Sequence, residues 1–355
     1  MAATELTDRR TAGTERVSDY RGAKAVAVYT DSSTEFAALH SSCGVYDLPW
    51  RAKIRLSGGD RVRWLNGMIT NNVRDLANGH GVYGFVLTPQ GRIIGDLYAY
   101  QTGDSLLVEM DQEQVPKLLE TFDHYIIMDD VEVANISNTV SGVGVAGPRA
   151  SEILRKVGFE GVPPGGLQFC ETNWQGSKAT VVCTDSPAVA AYEIWLSPEQ
   201  VSRLWNSLVE AGATRAGWEA LELLRIASGV PRYGVDIRER DLPQETAQDR
   251  ALNFSKGCYV GQEIVERIRS RGNVHRVFTG FLVEGELPAP GTKIQADGKE
   301  VGEITSSAQV STGNRECKLA LGYLRRELAT PGHVVTLGES RAQVSTIPFA
   351  CVFKS

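Results

Sequence analysis

The sequence predicts an α+β protein with antiparallel sheets and a small C-terminal β-barrel. Strand-like and helix-like runs mix up to residue 275 without a strict βαβα alternation, which favours antiparallel sheets covered by helices on one side. From Arg276 onward, short β-prone pieces separated by Pro and Gly turns replace the helices, which is typical of a small barrel.

The size and composition are those of a globular protein. The chain has 355 residues, enough for two or three domains with real cores, and is 42% hydrophobic and 23% charged. A formal net charge of -6 argues against strong nonspecific nucleic-acid binding, because such binding depends on many Lys and Arg contacts to phosphates. No apolar run approaches the length of about 20 residues that a membrane-spanning helix needs, so we expect no membrane partner.

The N-terminus and the cysteines indicate the compartment. Residues 1–30 are polar and lack the apolar run of a signal peptide, so we expect a flexible N-terminal tail. The six cysteines show no C-x-x-C pair and no spacing typical of a zinc or iron–sulfur site, so we predict no metal centre. Few cysteines in a large chain without a secretion signal fit a reducing compartment, and we expect a cytoplasmic protein.

The elements of residues 31–275 follow from periodicity. An alternating strand from Lys53 ends at a glycine and leads into a helix, and a similar strand–helix unit recurs at 141–157, where Pro148 suits a first helical turn. Alternation also predicts strands at 82–87, 92–100, 105–109, 131–136, 178–183 and 190–196. Helical spacing of apolar residues predicts helices at 113–122, 198–211 and 217–228.

Residues 276–355 form the predicted barrel domain. A strand-like run begins at Arg276, and the following β-prone pieces are separated by turn signals at 288–291, 297–298, 312–314 and 331–332. No low-complexity linker precedes this part of the chain. We therefore expect residues 31–275 and 276–355 to pack firmly.

The octapeptide Lys256–Glu263 is the most informative stretch of the chain. It places Cys258 two residues after Lys256, between glycines, and just before a helix predicted to open at Gln262. A thiol beside a cation and the start of a helix ionises easily and becomes nucleophilic. The alternative is that Cys258 is a small buried hydrophobe, as free cysteines often are.

Two carboxylates lie inside predicted apolar strands, where an uncompensated charge would be unfavourable. Asp96 follows Ile93–Gly95, and Glu193 lies within the run Ala190–Trp195. Such acids are either paired within the protein or used on a ligand. For Glu193, a carboxylate suits a pterin ring, whose amino and ring N–H groups offer two parallel donors. The alternative for Glu193 is a charge on the solvent face of an antiparallel strand.

The octapeptide, with Arg267 and Arg271–Gly272, resembles the signature of the YgfZ-type folate-binding proteins, relatives of the glycine-cleavage T-protein (aminomethyltransferase). The resemblance extends from about Glu35 to the C-terminus. Its other landmarks, in order, are Gly44–Asp47, Gly59–Asp60, Thr70–Val73, Gly91–Leu97, Gly147–Pro148, Tyr192–Ile194, Arg225–Pro231, Tyr233–Gly234 and Leu242–Glu245.

The resemblance implies a fold, a cofactor and site residues. It implies two α+β modules and a barrel around a central folate-sized cavity that holds tetrahydrofolate or a derivative. It implies that Glu193 binds the pterin and that Asp96 lies beside the folate nitrogens that handle the one-carbon unit. Arg225, Tyr83 and Gln262 lie at matching positions and are predicted to bind the cofactor, while Cys258 and Lys256 are the predicted catalytic residues.

Two of these positions and one basic cluster have ordinary explanations as well. Arg225 falls on a predicted helix, where an arginine is commonly a solvated surface group, and Tyr83 could be a simple sheet aromatic. A cluster of cations from 267 to 276 could bind RNA phosphates, a folate polyglutamate tail or an acidic protein, or could be a solvated charged turn.

The chain departs from the aminomethyltransferases that it resembles. Those enzymes typically carry an Asp-Asp pair where this chain has Gly95–Asp96, and an asparagine-rich segment where it has Glu109–Gln112. We therefore expect a folate-binding accessory protein that supports iron–sulfur proteins or cluster-assembly factors, with an indirect effect on tRNA modification. The alternatives are a true aminomethyltransferase and a non-catalytic folate-binding scaffold, so the enzymatic status stays open.

Overall fold

The computed structural model describes residues 15–272, 274–313 and 315–353, with Arg271 described through its backbone only. The chain divides into two compact units. The first consists of Met1–Gly84 and Leu97–Leu221, and the second of Phe85–Asp96 and Glu222–Ser355. The division therefore does not follow a single cut along the sequence.

The first unit begins with a hairpin of strands β1 (Arg16–Tyr20) and β2 (Ala23–Val28). The ring of Tyr20 stacks on that of Trp218, with centroids 4.7 Å apart. The prediction of a flexible tail over 1–30 is thus wrong for residues 16–28, because apolar residues alternating through a polar segment bury one face of the hairpin. Residues 1–14 lie outside the described part of the chain.

A six-stranded sheet forms the centre of one half of this unit. Its order is β10-β11-β12-β9-β3-β13, and every pair is antiparallel except β13 with β3. The strands are β3 (Gly44–Asp47), β9 (Ser141–Ala146), β10 (Phe169–Trp174), β11 (Ser177–Cys183), β12 (Ala191–Leu196) and β13 (Thr214–Arg215).

Helices cover one face of this sheet. The helices of this half are α1 (Ser32–Ser41), α4 (Ala150–Lys156) and α5 (Pro198–Glu210). Alternate residues of β9 and β12, such as Val143, Val145 and Ile194, join Leu154 and Leu204 of the helices in one apolar cluster. The residues between them, including Gly144 and Glu193, therefore belong to the opposite face.

A second sheet of five strands has the order β5-β6-β7-β4-β8. Its strands are β4 (Arg51–Ser57), β5 (Gly81–Leu87), β6 (Ile93–Gln101), β7 (Leu106–Asp111) and β8 (Glu132–Asn135). Helices α2 (Arg61–Met68) and α3 (Val115–Tyr125) meet through an edge contact of Trp64 with Phe122. In β4 the apolar residues Ala52, Ile54 and Leu56 are fully buried and alternate with cations, so one face of the sheet is apolar and the other is charged.

The second unit contains a closed six-stranded barrel of order β14-β17-β16-β15-β18-β19. Its strands are β14 (Arg276–Glu284), β15 (Lys293–Ala296), β16 (Lys299–Thr312), β17 (Arg315–Arg325), β18 (Val334–Leu337) and β19 (Ser340–Ser345). Phe281, Ile304 and Leu324 fill its interior. Three helices accompany the barrel: α6 (Trp218–Ala227), which begins in the first unit, α7 (Gln262–Arg271) and α8 (Ala350–Phe353).

The predicted fold class is confirmed: the protein is α+β, with antiparallel sheets and a C-terminal closed barrel. The barrel begins at Arg276, where the sequence changes character. Strand β10 and helix α1 were not predicted from periodicity. Strand β10 alternates weakly and places polar residues at 171, 172 and 173, so its pairing with β11 defines it.

Candidate functional site

Glu193 lies in the interior of the first unit rather than on a solvent face. Strand β12 is paired on both sides, with β11 and with β9, and the residue is 9% exposed. The alternative of a solvated strand charge is therefore wrong for this residue. Its carboxylate accepts a hydrogen bond of 2.8 Å from the indole Nε1 of Trp195, two residues along the same strand.

Four charged residues of β4 and β7 face this carboxylate region. The register of the two strands places Arg51 opposite Asp111 and Lys53 opposite Glu109. Lys53 and Glu109 are each only 1% exposed. Since charges of opposite sign directly across an antiparallel pair attract one another, the strand register itself builds the two ion pairs.

These residues form one connected ion network, named here the buried ion cluster: Arg21, Arg51, Lys53, Glu109, Asp111 and Glu193. Lys53 contacts Glu109 directly, and its Nζ lies 3.9 Å from the Glu193 carboxylate. Arg51 pairs with Glu109 at 3.0 Å and with Asp111 at 2.7 Å. Arg21, from the turn of the N-terminal hairpin, adds a contact of 3.1 Å to Asp111.

The two glutamates of the cluster differ in their electrostatics. Burial, followed by the negative charge of Glu109, raises the pKa of Glu193 from 4.5 to about 7. Burial also opposes ionisation of Glu109, but the charges of Arg51 and Lys53 overcome it and hold the pKa of Glu109 well below its usual range. A carboxyl whose pKa lies near neutrality, inside a charged cluster, is typical of functional sites.

Aromatic rings surround the carboxyl groups. Lys53 Nζ lies 4.5 Å from the Trp195 ring centroid, and the ring of Tyr100 meets Trp195 edge-on at 5.1 Å. Tyr46 lies in the row of residues that contains Glu193 and Gly144. A Cβ on Gly144 would come within 2.0 Å of the Tyr46 ring, so glycine is required there for the ring to lie across the strand.

Tyr83 joins the same unit through Tyr98. Their ring centroids are 4.9 Å apart, and the Arg51 guanidinium lies 5.4 Å from the Tyr98 ring. Tyr83 is 4% exposed, and its carbonyl accepts a 2.7 Å hydrogen bond from the Asn71 side chain. The structure thus links two predicted site residues, Tyr83 and Glu193, through residues that the sequence did not single out.

Arg51 and Lys53 were missed because a cation in an alternating strand predicts a solvated face. The usable signal was the pairing of two such cations with Glu109 and Asp111 on another β-prone run. That signal requires the register of β4 with β7, which the sequence does not provide.

A cavity of about 500 Å³ opens beside Trp195 in the first unit. Its walls include Leu107, Phe169 and Thr180, with Arg55 and Lys178 among the polar residues. Arg55 and Lys53 occupy alternate positions of β4, so both lie on the charged face of that sheet. This face therefore forms part of the cavity wall through Arg55.

Asp96 belongs to the second unit, where it is half-buried on β6. The turn that precedes this strand packs against the octapeptide. A Cβ on Gly261 would lie 2.5 Å from the Thr88 carbonyl oxygen, and one on Gly91 would lie 2.8 Å from Ile264 Cβ. The tertiary structure therefore brings the Gly91–Leu97 landmark and the Lys256–Glu263 landmark together.

Cys258 is exposed, whereas Lys256 is 1% exposed. Lys256 Nζ lies 4.8 Å from the ring centroid of Tyr259. Gly257 and Gly261 have φ angles of +94° and +81°, a region that glycine adopts without strain. The alternative of Cys258 as a core residue is wrong, because the backbone turn presents its side chain to solvent while its neighbours Lys256 and Tyr259 are buried.

Gln262 is the first residue of α7, and its side-chain oxygen accepts a 3.3 Å hydrogen bond from the Tyr259 backbone N–H. Gly261 directly before it is left-handed and starts the helix. In the structure, Gln262 thus closes the turn that carries Cys258.

Arg225 is held by the protein on several sides. Its guanidinium pairs with Asp236 at 2.7 Å and Glu222 at 3.0 Å, and donates to the Val230 carbonyl at 2.7 Å and Ser306 Oγ at 3.1 Å. Its side chain is 9% exposed, so it is not a solvated surface group. These contacts fix the end of α6 to strand β16 of the barrel, all within the second unit.

The basic cluster has fewer available charges than its sequence indicates. Arg276 pairs with Asp241 at 2.6 Å and with Glu245 at 3.1 Å. Arg269 lies 3.7 Å from Glu266 and stacks over the Phe254 ring at 4.3 Å.

Within residues 15–353, apart from the two undescribed positions, no three His, Cys, Asp or Glu side chains are grouped so as to hold a metal ion. Over the same residues, no helix has the length and apolar character needed to cross a bilayer.

Comparison with known proteins places these features in a family. Residues 8–256 match the family model described as the GCVT N-terminal domain. The chain belongs to this family. Residues 268–349 match the CAF17 C-terminal beta-barrel domain, and this combination confirms the resemblance to YgfZ-type members of the T-protein superfamily.

Curated relatives match over nearly the whole chain. An aminomethyltransferase of Halothermothrix orenii is 27% identical, over 91% of this chain and 91% of its own length. An aminomethyltransferase of Rubrobacter xylanophilus is 28% identical, over 95% and 94%. A putative chloroplastic transferase of Arabidopsis thaliana is also 28% identical, over 86% and 71%.

A solved structure shares the fold. The glycine cleavage system aminomethyltransferase T from Bartonella henselae superposes with a TM-score of 0.84 over 94% of each chain, at 17% identity. The GCVT family assignment supports binding of a folate, the cofactor class of this family.

Proposed function

We propose that the protein is a tetrahydrofolate-binding accessory protein that supports iron–sulfur cluster assembly or repair, and thereby tRNA modification, through the exposed thiol of Cys258. The observation that carries the folate part is Glu193, a buried carboxyl inside the buried ion cluster with its pKa near neutrality. Family membership supports the same cofactor class.

The residues of the first unit fit the chemistry of a pterin. A carboxylate offers two acceptor oxygens to the paired N–H donors of the pterin edge, and bidentate contacts of this kind are strong. Trp195, Tyr100 and Tyr46 supply flat apolar surfaces around it. Glu193 would hold the pterin here, and the role of Asp96 beside the folate nitrogens stays what the resemblance implies. When bound, reduced folate supplies one-carbon carrier chemistry.

Calorimetry with tetrahydrofolate tests this assignment. Glu193→Ala removes a hydrogen bond to a charged group, so we expect the binding free energy to weaken by about 1.5–3 kcal/mol. The control is Glu120→Ala on helix α3, whose side chain is exposed and does not line the cavity beside Trp195. That variant should bind like the wild type. Unchanged affinity in Glu193→Ala would remove this residue from the site.

The thiol part of the proposal rests on exposure and local geometry. Cys258 is the exposed cysteine among the six, and two left-handed glycines hold its turn beside α7. The resemblance implies that this octapeptide cysteine serves iron–sulfur proteins. Lys256 is buried beneath the turn, so it is proposed to act on Cys258 by fixing the turn and by its charge.

Alkylation followed by mass spectrometry compares the six cysteines in one sample. Cys258 should label first and Cys43, which is fully buried, last. A Cys258→Ala variant should stay folded and bind folate, yet fail to support iron–sulfur enzymes in a strain that lacks the native protein. If the alanine variant complements fully, the thiol part of the proposal is wrong and the alternative of a non-catalytic folate-binding scaffold is favoured.

A second candidate, aminomethyl transfer, is favoured by the names of the relatives that match over more than 90% of this chain. Against it stand Gly95 in place of a second acid and Glu109–Gln112 in place of the asparagine-rich segment. The assay supplies an aminomethylated lipoyl carrier and tetrahydrofolate and measures methylene-tetrahydrofolate. Turnover of about 1 per second or faster, in the usual enzymatic range, would favour this candidate over the accessory role.

A further inference from the structure

Glu109 and Glu193 are two buried carboxyl groups that reach each other across the first unit, one from β7 and one from β12. Lys53 lies between them: its ammonium group contacts Glu109 directly and lies 3.9 Å from the Glu193 carboxyl. Two buried carboxylates that share one cation repel each other, and this repulsion favours a proton on one of them.

The cations of the cluster decide which carboxyl holds the proton. Glu109 contacts Lys53 directly and Arg51 at 3.0 Å, whereas Glu193 lies 3.9 Å from Lys53. Glu109 therefore receives most of the positive charge and stays ionised. Glu193 also accepts the hydrogen bond from the Trp195 indole N–H, and this neutral donor stabilises a carboxylate less than an ammonium or guanidinium group does.

The other titratable groups around the pair do not change this assignment. Burial, followed by the charge of a nearby glutamate, raises the pKa of both Tyr46 on β3 and Tyr100 on β6, so both phenols remain neutral. Asp111 on β7 is already paired with Arg51 and Arg21. The Arg51 guanidinium also lies over the ring of Tyr98.

We infer that Glu193 carries a proton in the ligand-free protein and releases it to solvent when a ligand with two parallel N–H donors binds. This inference rests on the proposed function, which makes that ligand a reduced folate. If Glu193 stayed protonated, its O–H donor would face one of the two N–H donors of the ligand. A buried donor left without an acceptor costs free energy. The two-donor contact therefore requires the carboxylate form, and Glu109 acts as the residue that couples ligand binding to pH.

Calorimetric titration in buffers of different ionisation enthalpy measures the protons released. With tetrahydrofolate under anaerobic conditions, we expect nearly one proton released at about pH 6 and nearly none at about pH 8.5. Affinity should fall about tenfold for each pH unit below about pH 7 and stay level above it. Glu120→Gln, which changes an exposed carboxylate on helix α3 away from the cavity, should behave like the wild type.

Glu109→Gln is the decisive variant, because it removes the negative charge that favours the protonated form of Glu193 and leaves Lys53 free to pair with the Glu193 carboxylate. It should bind folate while releasing far less than one proton. Where this variant does not fold, isotope-edited infrared spectra of the ligand-free wild type give the answer. A protonated carboxyl band that is present in the wild type and absent in Glu193→Gln shows the proton on Glu193 directly.

The outcomes separate the two proposals. Folate binding that releases no proton and has a level pH profile overturns the inference and leaves folate binding intact. A folded wild type that binds no folate at either pH overturns the proposed function, and the infrared band then decides alone whether Glu193 is protonated. The absence of that band below about pH 6 overturns the inference, because a protonated Glu193 must show it there.

Discussion

Replacing Glu193 by Gln should change how the stability of the first unit depends on pH. Burial, then the charge of Glu109, raises the pKa of Glu193 from 4.5 to about 7. Each pH unit of such a difference corresponds to about 1.4 kcal/mol, so ionising Glu193 in the native state costs about 3 kcal/mol. Glutamine keeps the shape and can still accept the hydrogen bond from Trp195, but it does not ionise.

The sign follows from the two pKa values. Below pH 4.5 Glu193 is protonated in both the unfolded and the native states, and the cost is absent. As the pH rises from 4.5 to about 7, the unfolded state loses its proton first, so the wild type loses stability over that window. We therefore expect the free energy of unfolding of Glu193→Gln, relative to that of the wild type, to rise by about 3 kcal/mol as the pH goes from 4.5 to about 7.

Urea unfolding followed by tryptophan fluorescence measures this difference, since all six tryptophans, at 50, 64, 174, 195, 205 and 218, lie in the first unit. Wild type and variant are compared at about pH 5 and about pH 7.5, and Glu171→Gln serves as the control, expected within about 0.5 kcal/mol of wild type at both. A constant difference between Glu193→Gln and wild type at the two pH values would refute the reasoning. A variant that loses stability at the higher pH would show instead that an ionised Glu193 stabilises the fold through Lys53.

Two further predictions concern packing and ion pairing. Gly144→Ala should destabilise the first unit by about 1–3 kcal/mol, because the new Cβ would meet the Tyr46 ring. The control Gly67→Ala, with open space at its Cβ, should be neutral or stabilising. Urea unfolding followed by tryptophan fluorescence measures both variants, and equal changes in stability would contradict the predicted clash with Tyr46. Asp236→Asn should destabilise the second unit by about 3–5 kcal/mol, because it removes the fully buried charge that pairs with Arg225. Hydrogen exchange of the barrel strands measures this loss, with Asp297→Asn on an exposed turn as the control; equal protection in both variants would show that the pair contributes little.

The sequence alone determined most of the elements and the fold class. Alternation located β6, β11 and β12 within a residue or two, and helical spacing located α5 and α6 as closely, because each of these segments buries one face and its period is visible locally. The change at Arg276 from helix-like segments to short β-prone pieces located the start of the barrel for the same reason. The octapeptide indicated an exposed, functional cysteine, and the structure places Cys258 at the surface.

Only the tertiary structure decided the surroundings of the candidate site. Glu193 was found from its position within an apolar run, but its partners Lys53 and Glu109 come from other strands, and a cation alternating with apolar residues predicts a solvated face equally well. Likewise, Arg225 is held by Asp236, eleven residues away, and by Ser306 in the barrel. Strand register and long-range pairing bring these charges together, and no local pattern encodes them, because side-chain period shows which face a residue occupies but not what that face meets.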